Sequence, residues 1–456
     1  MVVAGTRPEV IKLAPILRAM DARRMDYLFI TSGQHYDYEL LTVFLKELEL
    51  REPDDNLRIG SGSHAEQVAR MLAGYERLIR KHRPQMTLAV GDTNTVLALG
   101  LASIKEHVPF GHVEAGLRNY DRTMPEEINR VLAAQTAELH FAPTQRAALN
   151  LLYEGIDPRK IFVTGNTVVD ACMQNLELAN TMSTLLQKLG LKPPIVTVTF
   201  HRAENVESRT RLTAIVKSLL ALDECQVVLP AHPRTKTRLK ASRLWGRLVK
   251  AKHIIVTRPL GYLDFLQLLS SSEFVITDSG GIQEEALAIG VPCLTLRAAT
   301  ERPETVELGV NALVGSDPEK ILSFSHRLLN DKTYAQSMRT NVNPLGDGKA
   351  AERIVGVIER SLEMGLKIEE PVRYETGADA FALLNIDDRL DGVTVAGFES
   401  ANSLKISLVY DHEGNPLFPS AETVLRPGFA CRIVGPKPLL NKVLRGKGER
   451  VSLGGT

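Results

Sequence analysis

The stretch from Glu273 to Glu285, EFVITDSGGIQEE, decides the fold. Phe274, Val275 and Ile276 form a short apolar run of β propensity, Thr277 to Gly281 breaks it, and Ile282 to Ala288 continues at helical spacing. The pattern predicts strand, tight turn, helix. Ser279 stands where it can cap the helix. Gly280 and Gly281 leave the first amide groups uncovered, so an anion can reach both free N–H groups and the positive end of the helix dipole. An ordinary βα turn also contains such a Gly-Gly pair. Glu284 and Glu285 separate the two accounts: carboxylates one turn into an anion site are unwelcome unless one of them binds hydroxyls, as on a ribose. A sugar nucleotide satisfies both halves.

Outward from this stretch the same pattern repeats. Met1 to Ala4 is an apolar strand ended by Gly5-Thr6-Arg7-Pro8-Glu9, and Ile11, Ala14, Leu17 and Arg18 follow at helical spacing. Tyr27 to Thr31 runs into Ser32-Gly33-Gln34-His35 and an amphipathic stretch from Tyr38 to Leu50. A helix from about Ala65 to Arg83, the strand Met86 to Val90, and a helix from Val96 to Glu106 come next. Strands at Phe110 to Val113, Glu138 to Ala142 and Ile161 to Thr164 complete a first half. Strands alternating with helices predict a parallel, doubly wound sheet with its motifs at the strand carboxyl ends.

A helical link from Val168 to about Leu191 ends at Lys192-Pro193-Pro194, and the alternation resumes with Ile195 to Phe200, a helix from Thr210 to Leu222, Gln226 to Leu229, Ile254 to Val256, the opening stretch, and Cys293 to Leu296. The expected fold is α/β: two Rossmann-like domains, residues 1–167 and 168–365, with a cleft between them. The final helix, 348–366, is expected to pack back on the first domain. Composition changes at Glu369-Glu370-Pro371. From Phe381 to Cys431 the residues read as short β runs with turns, followed by a helix at Pro438 to Leu444, which predicts a small β-rich α+β domain over residues 371–445.

With 456 residues, 44% of them hydrophobic and 24% charged, the chain reads as a soluble globular protein of about two or three domains. Its 55 basic and 54 acidic residues give a net charge of +1, which argues against a general nucleic-acid or anionic-membrane surface. Phosphate binding must be local. Cys172, Cys225, Cys293 and Cys431 lie far apart without metal-ligand spacing, as expected of reduced thiols in the cytoplasm. No apolar run is long enough to span a bilayer, and the first residues lead into a strand rather than a hydrophobic leader. The expectation is a cytoplasmic protein without a structural zinc site.

Several ionisable groups follow strands immediately. Arg7 and Lys12, five apart across the first glycine turn, can direct two cations at a diphosphate, although alone they would suit a solvated helix start. Asp92 follows the strand LAV, where an N-cap is the plain alternative. Glu114 follows GHV, and Ala115-Gly116 does not read as a helix start that would explain it. Pro125-Glu126-Glu127 opens a helix, where first-turn acids are ordinary dipole partners. His201, in HRAEN after the β run TVTF, suits a proton donor or phosphate contact and equally a surface loop; His232 after VVLPA has the same ambiguity. Thr300 to Glu304 adds the guanidinium of Arg302 near the opening helix. Together these make a diphosphate site flanked by acids and a histidine, able to break a glycosyl-phosphate bond.

The motifs GTRPE, GDT, HVEAGLR, MPEEINR, GNTVVDA, HRAEN, TDSGGIQEE and TERPE, in this order over residues 1 to about 365, resemble those of the non-hydrolysing UDP-N-acetylglucosamine 2-epimerases. The resemblance implies a glycosyltransferase-B-like arrangement of the two Rossmann domains, UDP-GlcNAc and UDP-ManNAc as substrates, a homodimer, and chemistry without metal or nicotinamide cofactor, by anti elimination of UDP to 2-acetamidoglucal and re-addition. By motif position it implies that Asp92, Glu114 and Glu126 are the catalytic acids, without saying which serves which face of C2, and that His201 contacts the phosphates or their leaving oxygen. Arg7, Lys12, Ser279, Gly280, Gly281 and Arg302 would hold the diphosphate, Glu285 the ribose hydroxyls, and Phe265 would lie beside the uracil. Bacterial members with an allosteric UDP-GlcNAc site follow Gln-His with a stretch different from Tyr36-Asp37-Tyr38-Glu39, so activation by substrate is not expected.

The module after about Glu370, with LVY at 408–410, LFPS at 417–420 and TVLRPG at 423–428, is similar to the C-terminal regulatory domains of potassium-uptake proteins of the TrkA type. That similarity implies a small-molecule effector or a dimerising role, so deletion of residues 371–456 should alter assembly or effector response; a passive stabilising appendage is the plain alternative. For the chain as a whole, three readings stand beside the epimerase: a hydrolysing enzyme releasing ManNAc and UDP, an epimerase of a modified UDP-sugar such as a diacetamido uronate, and a nucleotide-sugar sensor without turnover.

Overall fold

The computed structural model describes residues 1–33, 45–339, 343–368, 379–412 and 416–445. Seven strands form the first sheet: β1 (Val2–Ala4), β2 (Phe29–Thr31), β3 (Asp55–Asn56), β4 (Thr87–Val90), β5 (Phe110–Val113), β6 (Leu139–Ala142) and β7 (Ile161–Val163). They are parallel, in the order β3-β2-β1-β4-β5-β6-β7, with Val2 paired to Phe29 on one side and Leu88 on the other. Most of these strands are buried on both faces, which is why they read as unbroken apolar runs rather than as alternation.

The second sheet comprises β8 (Ile195–Thr199), β9 (Gln226–Pro230), β10 (Ile254–Thr257), β11 (Phe274–Thr277), β12 (Cys293–Thr295) and β13 (Asn311–Leu313), parallel in the order β10-β9-β8-β11-β12-β13. This is the expected pair of Rossmann-like domains in a glycosyltransferase-B-like arrangement. The strand order reverses between β1 and β4 in one sheet and between β8 and β11 in the other, and such switch points open a crevice at the strand carboxyl ends.

The expected single link is two helices, Thr167–Met182 and Leu185–Leu189. They part at Ser183, whose extended backbone lets its hydroxyl donate to Asp264 at 2.5 Å and accept from the Leu185 amide at 3.3 Å. Helix Ala350–Glu363 returns to the first domain: Ile354, Val355 and Ile358 join one core with Leu13 and Leu17 of helix Arg7–Ala22. Asp170 fixes its start, accepting from the Ala350 and Ala351 amides at 3.2 and 2.8 Å. No side chain of the returning helix's own N-cap residue supplies that cap.

Residues 379–445 contain an antiparallel sheet of β14 (Asp379–Asn385), β15 (Lys405–Tyr410), β16 (Pro416–Leu417) and β17 (Ala430–Pro436), in the order β14-β17-β15-β16. Helix Val395–Asn402 lies within the region expected to be strands and turns. Thr394 caps it by accepting from the Gly397 amide, and it ends at Ser403 in the left-handed region. Eight residues with only Val395 and Phe398 buried carry too little periodicity to announce a helix. The terminal helix is Lys437–Arg445. The start of the amphipathic stretch expected from Tyr38, the stretch Tyr36 to Glu39, and part of the turn at residues 411–415 lie outside the described residues.

Candidate active site

The turns after β1 and β4 are bound to each other by Glu9. Its carboxylate accepts from the Gly5 and Thr6 amides at 2.5 and 2.7 Å and from the Thr93 hydroxyl, fixing the backbone on both sides of the crevice. Gly5 must be glycine for reasons of space, since a Cβ there would stand 1.9 Å from Thr95 Oγ1. Asp92 therefore projects from a braced turn. Arg130 donates to its Oδ2 through Nε at 3.0 Å and Nη2 at 2.5 Å. Burial would raise the Asp92 pKa, but Arg130, Lys12 and Arg302 outweigh it and hold the group below its ordinary value.

On helix Pro125–Ala134 the two acids of PEE part company. Glu127 is buried, accepts from the Asn119 and Tyr120 amides, and receives Arg130 Nη1 at 2.6 Å. Glu126 is exposed, with its charge acting on Arg202 across the cleft. The dipole-partner account thus belongs to Glu127, while Glu126 is left facing solvent at the mouth.

Glu114 follows β5 with φ of 66°, in the left-handed region that a non-glycine residue enters at a cost. Its side chain points into the buried floor, where Lys12 Nζ donates to Oε1 at 2.8 Å and Oε2 at 2.6 Å. Burial and the neighbouring Glu284 raise the Glu114 pKa against the pull of Lys12 and Arg302.

The opposite wall rests on Asp278, which follows β11 and is fully buried. It accepts from the His201 and Arg202 amides at 3.1 and 3.0 Å and from Asn205 Nδ2 at 3.0 Å, which shapes the loop after β8. His201 Nδ1 lies 3.5 Å from Asp278 Oδ1, and its ring packs on His232 with centroids 5.3 Å apart. Burial lowers the His201 pKa; Asp278 opposes this, and Arg202 and Arg234 reinforce it. The imidazole is therefore neutral at neutral pH, able to donate at one nitrogen and accept at the other. His232 takes the structural role among its two readings, accepting from the Arg234 amide to cap a helix.

Ser279 occupies the N-cap position of helix Gly280–Ala288, yet its hydroxyl makes no capping hydrogen bond, contrary to expectation. Its backbone is held instead by Thr277 Oγ1, which accepts from the Ser279 amide at 3.0 Å. The helix start is thus left without a side-chain cap, which suits anion binding. Arg302 lies against this helix start: a Cβ on Gly280 would come within 2.6 Å of its Nη1, whereas one on Gly281 would meet nothing within 4 Å. Arg302 Nε donates to Glu284 at 2.6 Å and Nη1 to Glu301 at 3.1 Å. Glu284 is fully buried, accepts from Asn166 Nδ2 at 3.0 Å, and has its Oε2 3.7 Å from Lys12 Nζ.

Glu301 is also clasped by both Nη atoms of Arg297 at 2.8 and 2.9 Å, and these arginines hold it well below the carboxylate range despite its burial. Burial and Glu284 push Glu285 up to about 8 against Lys12 and Arg7. Phe265 is half-buried against Leu269, Val275 and Ala286. Arg7 is exposed at the rim and donates through Nη2 to the Leu260 carbonyl at 3.1 Å, joining the two domains.

The cleft thus gathers Lys12, Glu114, Asp92, Glu284, Glu285, Arg302 and the uncapped helix start, with His201 on the second wall and Glu126 and Arg7 at the rim. Sequence reasoning passed over Arg130, Asp278, Glu301 and Arg297. Arg130 could have been found, since it stands three residues after Glu127 on one helical face, and Asp278 lies directly at a strand end. Arg297 and Glu301 carry no signal before the chain is folded. Among the described residues no group of three or more His, Cys, Asp or Glu is gathered for a metal, and no helix is long and apolar enough to cross a membrane.

A family model described as UDP-N-acetylglucosamine 2-epimerase matches residues 18–359. The chain is 45% identical over 363 residues to a UDP-N-acetylglucosamine 2-epimerase of Methanocaldococcus jannaschii, covering 78% of this chain and 98% of that protein. It is 36% identical over 359 residues to a UDP-2,3-diacetamido-2,3-dideoxy-D-glucuronate 2-epimerase of Pseudomonas aeruginosa, covering 78% and 97%. The crystal structure of the M. jannaschii UDP-GlcNAc 2-epimerase in complex with UDP-GlcNAc and UDP matches with a TM-score of 0.73, over 79% of this chain and 99% of that one, at 45% identity. The UDP-GlcNAc 2-epimerase of Neisseria meningitidis bound to UDP-GlcNAc matches with a TM-score of 0.73 and 33% identity, over 79% and 99%.

Proposed function

The chain belongs to the UDP-N-acetylglucosamine 2-epimerase family, and on that footing we propose that it interconverts UDP-GlcNAc and UDP-ManNAc without releasing free sugar. The observation that carries this reading is the meeting of Lys12 and Arg302 with Glu114 and an uncapped helix start on the floor of one cleft. Cations and amide dipoles fixed in place stabilise charge that develops on a departing diphosphate, and carboxylates beside them move the sugar's proton.

In the forward direction the C1–O bond to UDP breaks and its electron pair leaves with the diphosphate. The proton on C2 passes to a carboxylate, giving 2-acetamidoglucal. UDP then adds back to C1 while a proton reaches C2 from the opposite face. C2–H is a weak acid, so departure of UDP must lead, and each face needs its own group. Asp92, held ionised by Arg130, suits the accepting role; Glu114, with its raised pKa, suits the donating one. Glu126 at the mouth would relay protons to solvent. Arg7, Lys12, Ser279, Gly280, Gly281 and Arg302 surround the diphosphate, with His201 a neutral donor to its leaving oxygen. Glu285 receives the ribose hydroxyls, and Phe265 lines the uracil.

Proton NMR of the purified chain with UDP-GlcNAc in deuterated water tests this. UDP-ManNAc carrying deuterium at C2 is the expected result. Free ManNAc with UDP would instead identify a hydrolysing enzyme. No change would point to a modified substrate, as the P. aeruginosa relative's name suggests, or to a sensor.

A further inference from the structure

The family match ends at residue 359, and a cavity of about 1190 Å³ lies where the small C-terminal module meets the first domain and the returning helix. Its walls are β7 with the preceding turn, helix Ala350–Glu363, and residues from β15 and the segment around Phe418. Phe418 packs its ring beside the core around Leu117 and Leu151, and its amide donates to Gln145 Oε1 at 3.4 Å. The cavity is thus a cleft lined by two modules held in contact.

Seven lysines and arginines line it against four glutamates. Five of the cations are spent in ion pairs: Arg23 with Glu359, Lys160 with Glu138, Lys405 with Glu399, Arg353 with Asp347, and Arg159 with Asp157, at 2.6 to 2.8 Å. Arg360 and Lys367 have no ion pair among the described residues, and Glu352 is the lining carboxylate in the same position. The lining also includes the apolar side chains of Ile161, Val357, Met364 and Phe418. Two uncommitted cations beside an apolar surface, in a space large enough for a nucleotide, suit a ligand with a phosphorylated end and a flat or apolar body.

We propose that this junction is a binding site for a phosphorylated small molecule of nucleotide size, held by Arg360 and Lys367, and that its occupancy is felt in the catalytic cleft. The coupling has a physical route. Arg353 in the cavity wall donates to the Thr164 carbonyl at 3.1 Å, just past β7. Two residues on, the Asn166 amide donates to the Leu345 carbonyl at 2.6 Å and its Nδ2 donates to Glu284, the carboxylate shared by Arg302 and Lys12. A ligand that draws the module onto the returning helix therefore acts on the segment that anchors the cleft floor.

The experiment is titration calorimetry on the full chain with the catalytic cleft saturated by UDP, using ADP and inorganic pyrophosphate as probes, repeated on the Arg360→Glu, Lys367→Glu double variant. One saturable site for either probe is expected, weakened at least tenfold in the variant and weakened by salt, with melting temperature and basal turnover unchanged. ADP binding more tightly than pyrophosphate supports a ligand of nucleotide size, and pyrophosphate binding as tightly as ADP would overturn that part of the assignment. Neither probe binding, or binding indifferent to the charge reversal, would overturn the site. Saturable binding without any change in UDP-GlcNAc turnover would overturn the coupling.

Discussion

Lys12 Nζ donates to both carboxylate oxygens of Glu114, at 2.8 and 2.6 Å, so a diphosphate donor and a catalytic acid of the proposed site are one buried ion pair. Removing Lys12 takes from Glu114 its hydrogen-bonded cation in a buried site, whereas removing Glu114 leaves Lys12 the longer 3.7 Å contact with Glu284. Lys12→Met should cost about 3 to 5 kcal/mol of stability because Glu114 and Glu284 lose their shared cation. Combining it with Glu114→Gln should restore part of the melting temperature while turnover remains at least about 100-fold down. A double variant whose losses simply add would show that the two side chains do not act as a pair.

The two glycines that open helix Gly280–Ala288 should behave differently. Gly281→Ala has open space and gains helix propensity, so its melting temperature should hold or rise by the equivalent of up to about 1 kcal/mol. Gly280→Ala must displace the Arg302 guanidinium from the helix start. Because Arg302 is also tied to Glu284 and Glu301, that displacement breaks a buried network. Arg302→Ala should remove about 2 to 4 kcal/mol of transition-state stabilisation, and Gly280→Ala a comparable share. Equal, wild-type kinetics in both glycine variants would place Arg302 outside the chemistry.

How much of this was legible beforehand follows from what local sequence encodes. The strand, turn and helix at 273–288 were readable because a buried parallel strand is an apolar run and its turn is rich in small residues. The same signal located Asp92, Glu114 and His201 at strand ends. What could not be read was partnership across the chain. The role of Asp278 depends on amides 76 and 77 residues away, and that of Glu284 on Asn166, 118 residues away. Such contacts exist only once the sheets are stacked. The helix Val395–Asn402 escaped for the opposite reason: it is local, but too short and too sparsely apolar to show a period.

Asp278 supplies a test of how His201 is held. It anchors the loop through backbone amides and also opposes the lowering of the imidazole pKa by burial. Asp278→Asn keeps an acceptor oxygen but removes the charge, so the imidazole should be harder to protonate and its titration should move further down in pH. NMR titration of the ring protons should show that shift, accompanied by a modest loss in turnover. His201→Ala should cost about 2 to 4 kcal/mol of transition-state stabilisation. A titration unchanged by Asp278→Asn would mean that the carboxylate serves only the backbone.

Glu285 gives the unliganded protein a pH dependence of defined sign. Its folded-state pKa is raised to about 8 by burial and by Glu284, while an unfolded chain titrates near 4.5. The folded state therefore binds this proton more tightly. The stability that the proton confers is fully present below about pH 4.5 and is lost as pH rises through 8. At about 1.4 kcal/mol per pH unit the full effect reaches about 5 kcal/mol. Glu285→Gln resembles the protonated acid at every pH and cannot lose the proton. Its melting temperature should match that of the wild type near pH 4.5, exceed it progressively as pH rises to about 8, and hold a constant difference above that. Parallel melting curves across that range would show that Glu285 is already ionised in the folded protein, and the cations Lys12 and Arg7 would then have to outweigh the repulsion from Glu284.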